Sequence, residues 1–146
     1  MRTNKQKTGD RGEELIAKKG SCPECGRART LKRLPANFKC ADLICDFCGF
    51  LAQVKANNVA DLSVMPKEIL GAAWGPQKER MDEGYNFPLY YVLFLGSKYR
   101  VFYLAGECIK ASMYKPRKPL SATARRAGWQ GYAILTKNLK WVEVKF

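Results

Sequence analysis

The sequence predicts an α+β domain: a mixed β-sheet flanked by helices, with a zinc ribbon embedded at residues 20–52. Three observations carry that reading. Two Cys-x-x-Cys-Gly knuckles stand 19 residues apart, a helix-like segment precedes them, and aromatic and β-branched runs broken by turn residues follow them. The 146 residues fit a single domain over 1–146. A chain of this length buries enough apolar surface to fold around one core.

The elements follow in chain order. Glu13 to Gly20 reads as a short helix with acids in its first turn, Lys18 and Lys19 in its last, and Gly20 behind it. Residues 37–45 and 50–56 read as strands joined by the second knuckle. Residues 61–83 read as helical, interrupted at Gly75-Pro76. Leu89 to Leu95 and Tyr99 to Ala105 flank Gly96-Ser97-Lys98 as a hairpin. Ser121 to Ala127 reads as a helix capped by Ser121 and stopped by Gly128. Trp129 to Thr136 and Leu139 to Phe146 read as a second hairpin around Lys137-Asn138, and one mixed sheet is expected to hold all the strands.

Charge narrows the partners. Lys and Arg number 26 against 13 Asp and Glu, a net charge of +13, the footprint of a protein that meets phosphate. The excess lies in two flanks around a slightly acidic middle, and residues 108–142 hold 8 basic and no acidic side chains. Histidine is absent, which excludes Ser/His/Asp and Cys/His nucleophiles, His-dependent nucleases and His-liganded metals. Any hydrolysis must rest on carboxylates, amides, lysine and an oxygen-held metal. The polar, basic start is unlike a secretory signal, and the longest apolar run, Leu89 to Leu95, is far short of the ~20 residues of a membrane helix. A soluble, cytoplasmic, monomeric protein is expected.

Cys22, Cys25, Cys45 and Cys48 match the spacing of a four-thiolate zinc site. Such a shell is closed to substrate, so this Zn2+ is expected to be structural. Cys40 and Cys108 are left over and read as small core residues on strands. If the second knuckle closes a hairpin with Cys45 opposite Phe50, then Asp42 stands opposite Gln53, and Lys55 shares the face of Gln53 two residues on. Directly opposed Cβ atoms lie about 4.5–5.5 Å apart, within reach of a shared cation. An acid on one strand and acid-or-Gln, x, Lys on the next is the PD-(D/E)XK nuclease arrangement. Alone, charged residues at such spacing usually mark a solvated strand face.

The sequence also resembles the DpnI family of methyl-directed restriction endonucleases, from about Gln6 to Trp129. The resemblance rests on the segment Arg117-Lys118-Pro119-Leu120-Ser121-Ala122-Thr123-Ala124-Arg125-Arg126-Ala127-Gly128-Trp129, on both knuckles, and on Asp42 with Lys55. It implies a restriction-endonuclease-like PD-(D/E)XK core with an embedded four-cysteine zinc site, cleaving GATC duplexes that contain N6-methyladenine. It implies further that Asp42 and residue 53 bind catalytic Mg2+, that Lys55 orients or deprotonates the attacking water, and that Glu13, or Glu14 in its place, adds a metal or water contact. Arg117, Lys118, Arg125, Arg126 and Trp129 would face double-stranded, adenine-methylated DNA. Two departures stand out: Gln53 occupies the family's acidic position, and the chain ends at Phe146 before the winged helix found in the family. A catalytically inactive methylated-DNA-binding zinc module is the alternative, and a zinc-ribbon RNA-binding protein is a third reading.

Overall fold

The structure is a computed structural model that describes residues 3–35, 38, 41–74, 87–110, 113–116 and 129–146. Among these, the elements run α1 (Asn4–Lys19), β1 (Leu31–Arg33), β2 (Leu43–Cys45), β3 (Leu51–Asn58), β4 (Glu68–Trp74), β5 (Leu89–Leu95), β6 (Lys98–Leu104), a short 3-10 turn (Gly106–Cys108), β7 (Tyr114–Pro116), β8 (Trp129–Leu135) and β9 (Val142–Val144). The α+β class holds, with a mixed six-stranded sheet of order β1-β2-β3-β5-β6-β9. Only β3 and β5 run parallel in it.

The layers follow from residue alternation along β3 and β5. Ala52 and Val54 face α1 and join Ile16, Tyr90, Val92, Phe94 and Val101 in one core. Leu89, Tyr91, Leu93 and Leu104 face the other way and meet Ile69 and Ile134 of a second sheet, β4-β8-β7. Strand β5 is therefore buried on both faces, as its unbroken apolar run requires. Arg11 pins α1 to the β5–β6 hairpin, its guanidinium over the Phe94 ring at 3.9 Å and donating to the Gly96 carbonyl at 2.8 Å.

Helix α1 starts nine residues ahead of the expected Glu13. A reciprocal cap, in which Thr3 accepts from Gln6 N–H and Gln6 Oε1 accepts from Thr3 N–H, opens it. Gly12 does not break the helix. A Cβ built there would stand 2.9 Å from the Ala56 Cβ, so glycine is what lets α1 lie against β3. Glu13 and Glu14 consequently sit in the third turn, and their agreement with the helix dipole disappears.

Two of the other corrections share one cause, pairing over long sequence separation. Residues 68–74, expected to be helical, form β4, because every residue from Glu68 to Trp74 has a partner on β8. The expected hairpin of β8 with the C-terminal strand does not form: β9 adds to β6 in the first sheet while β8 joins β4 and β7 in the second. Of the strand expected over 37–45, Leu43–Cys45 form β2, while residues 37, 39 and 40 lie outside the described residues, and β1 had no counterpart in the sequence reading. Cys108 lies in the 3-10 turn rather than on a strand. The helix expected at Ser121 to Ala127 and the leftover Cys40 lie outside the described residues, and one α-helix is the only one among those described.

Candidate active site and metal centre

Each knuckle turns on a left-handed glycine, Gly26 at φ 74° and Gly49 at φ 81°. The turns bring Cys22, Cys25, Cys45 and Cys48 together, with every pair of sulfurs within 4.8 Å. Tetrahedral Zn–S bonds of about 2.3 Å place sulfurs about 3.8 Å apart. The Cys22–Cys48 and Cys25–Cys45 separations are 3.6 and 3.8 Å, so the cluster fits one zinc ion. Burial pushes the Cys22 thiol up to about 12. Burial also opposes ionisation of Cys45, but the Thr30 hydroxyl at 3.1 Å and the knuckle N–H groups pull that thiol down to about 6. A cation that binds thiolates is what brings the whole set to the same charged state.

The second knuckle sets the register as expected. Cys45 N–H donates to the Phe50 carbonyl, and Ile44 pairs with Leu51 and Leu43 with Ala52. One residue later the pairing changes. Asp42 N–H also donates to Ala52, at 2.9 Å, so two residues of one strand share one on the other, as in a β-bulge. The Asp42 side chain then takes over, with Oδ2 accepting from Val54 N–H at 2.8 Å. A carboxylate thus stands at the edge of β3 where a backbone carbonyl would otherwise stand. Gln53, whose own N–H donates to Pro88 on the opposite side, and Lys55 project from one face of β3 beside it.

Electrostatics connects these groups to the helix. Burial raises the Asp42 carboxyl above its ordinary value, opposed by the Val54 N–H, Lys55 and Arg33. Burial and then the Asp42 charge raise Glu13, against the pull of Arg33. Glu13 is 18% exposed and Glu14 66%, so Glu13 is the helix acid turned toward Asp42. Asp42 and Glu13 offer hard oxygen donors of the kind that suits Mg2+, and the Lys55 charge reaches Asp42, while Gln53 projects from the face of β3 opposite Ala52 and Val54. Asp10 and Arg33 are members of this cluster that the sequence reading missed. The i, i+3, i+4 spacing of Asp10, Glu13 and Glu14 could have revealed a shared helix face, but nothing local marks Arg33.

Of the residues expected on the DNA face, Arg117, Lys118, Arg125 and Arg126 lie outside the described residues, while Trp129 opens β8 opposite Trp74. No helix among the described residues is long and apolar enough to cross a membrane. The model of the family described as "DpnI: Dam-replacing family" matches residues 1–142.

Proposed function

Because the chain belongs to the DpnI, Dam-replacing family, we propose that it is a Mg2+-dependent endonuclease that hydrolyses phosphodiesters in adenine-methylated GATC duplex DNA, stabilised by a structural zinc ion on its four cysteines. The observation that carries the catalytic reading is the Asp42 carboxylate at the β3 edge, fastened to Val54 N–H and flanked by Lys55 and Glu13. Asp42, Glu13 and the Gln53 amide oxygen would hold Mg2+. Such an ion neutralises charge on the phosphate and makes bound water acidic. Val54 N–H orients Asp42, and the charge of Asp42 attracts the Lys55 ammonium. An ammonium cannot take a proton, so Lys55 would first release one to solvent and then, as the amine, position the attacking water and accept its proton. The basic flanks hold the duplex through phosphate contacts, which makes binding salt-sensitive.

Gln53 favours the second reading, a methylated-DNA-binding module without catalysis, because it removes one negative charge from the cation site. The nuclease reading answers that Glu13 supplies a second carboxylate from the helix. The test is cleavage of duplex DNA in Mg2+ by wild type and Asp42→Asn. The Asn oxygen still accepts from Val54 N–H, so the variant should fold and bind DNA without cutting it. Cleavage by Asp42→Asn at the wild-type rate contradicts the reading.

A further inference from the structure

Arg33 has no role in the chemistry above, yet it makes the densest set of polar contacts at the site. Its Nη2 meets Asp10 Oδ1 at 2.9 Å, Nη1 meets Glu14 Oε1 at 3.2 Å and Nε meets Glu13 Oε1 at 3.4 Å. Each nitrogen of the guanidinium thus serves a different carboxylate of one helix face. The backbone anchors Arg33 to the same place. Arg33 pairs with Leu43 on β2, and the next residue, Leu34, donates its N–H to the Asp42 carbonyl at 2.9 Å. The strand that carries Asp42 therefore also fixes the cation that holds Glu13.

We propose that Arg33 is a positioning residue of the cation site, which steers the Glu13 carboxylate toward Asp42 and serves as the site's own counter-cation until a divalent ion takes that place. The inference rests on the endonuclease reading and goes beyond it. The three contacts divide the work. Asp10 forms the shortest contact and Glu13 the longest, so Asp10 keeps hold of the guanidinium when Glu13 turns to an incoming ion. Glu14, 66% exposed, adds little, as exposed ion pairs generally do. Gln53 makes the arrangement matter more. With a neutral amide at 53, the negative charge facing the cation comes from Asp42 and Glu13, and the pose of Glu13 decides whether both reach one ion. The same fixed positive charge repels that ion, so Arg33 trades affinity for geometry.

The trade separates two readouts. The test measures Mn2+ binding to zinc-loaded protein without DNA, from the paramagnetic resonance signal of free Mn2+, for wild type, Arg33→Gln and Arg33→Lys. Removing a unit charge from beside a divalent ion should tighten Mn2+ binding about tenfold in Arg33→Gln. Arg33→Lys keeps the charge and should bind Mn2+ as wild type does. Both lose the planar fork, so both should cleave duplex DNA more slowly than wild type at saturating Mn2+. Wild-type or weaker Mn2+ binding by Arg33→Gln, with its melting temperature preserved, overturns the role of Arg33 and leaves the endonuclease reading intact. Absence of Mn2+ binding in all three proteins overturns the endonuclease reading, and this inference with it.

Discussion

Replacing Gly12 tests how the helix delivers Glu13 to the sheet. In an ordinary exposed helix interior, Gly→Ala stabilises by about 1 kcal/mol. Here the new methyl meets the Ala56 Cβ at 2.9 Å, with Val54 Cγ1 at 3.5 Å and Val92 Cγ2 at 3.7 Å behind it. Ala56 is a Cβ on a central strand and has no rotamer to swing away, so α1 itself must move. Overpacking of this kind costs about 1–3 kcal/mol, which cancels the propensity gain and leaves Gly12→Ala neutral to about 2 kcal/mol destabilised. The partner substitution isolates the cause. In an Ala56→Gly background the obstructing methyl is gone, and Gly12→Ala should regain its stabilisation of about 1 kcal/mol. The four proteins form a double-mutant cycle with a coupling of about 1–3 kcal/mol, measured by urea unfolding of the zinc-loaded forms. Gly12→Ala that stabilises equally in both backgrounds refutes the close approach of α1 to β3, and with it the placing of Glu13.

Two more expectations follow. Binding of structural zinc contributes about 10–16 kcal/mol in small zinc domains, comparable with the whole stability of an ordinary domain, about 5–15 kcal/mol. Stripping zinc with a chelator should therefore abolish the cooperative melt, whereas an unchanged melt in protein shown by elemental analysis to be zinc-free contradicts the structural role of the cluster. The raised Asp42 and Glu13 carboxyls set the pH response. Cation binding needs their charged forms, so affinity is complete above the raised values and is lost as pH falls through them, with protons released on binding. In the cation-free protein the same shifts act with the opposite sign, since folded carboxyls that hold protons more tightly lose stability as pH rises. As pH is lowered, Mn2+ binding should therefore begin to weaken while the pH is still above the ordinary carboxylate range, and a loss confined to pH below 4 to 5, roughly where free carboxyls titrate, contradicts this electrostatic coupling.

What the sequence revealed is what short-range geometry encodes. Both knuckles were legible because two thiolates and a glycine within five residues already define half of a tetrahedral site. The register that brings Asp42 toward β3 followed from the knuckle closing its own hairpin, although the bulge at Asp42 did not. The β5–β6 hairpin was legible for the same local reason. The rest depended on partners far along the chain: β4 is a strand because β8 lies beside it, and β9 left β8 for β6. Helix α1 shows a local signal misjudged. Thr3 and Gln6 spelled its cap, but the start was set at Glu13, when Gly12 just before it is the point at which helix meets sheet. Placing the start too late hid the shared face of Asp10, Glu13 and Glu14, and so the grip of Arg33.

The proposed hydrolysis rests on Asp42, Gln53, Lys55 and Glu13. Its most direct test is a cleavage assay of zinc-loaded protein in Mg2+ on one plasmid prepared with and without adenine methylation at GATC, beside Lys55→Ala. Cleavage of the methylated plasmid alone is expected, slowed about 10²- to 10⁴-fold when the lysine is removed. Full activity of Lys55→Ala, or no cleavage of either plasmid by a zinc-loaded protein that still binds the duplex, would contradict it and leave a DNA reader in place of a nuclease.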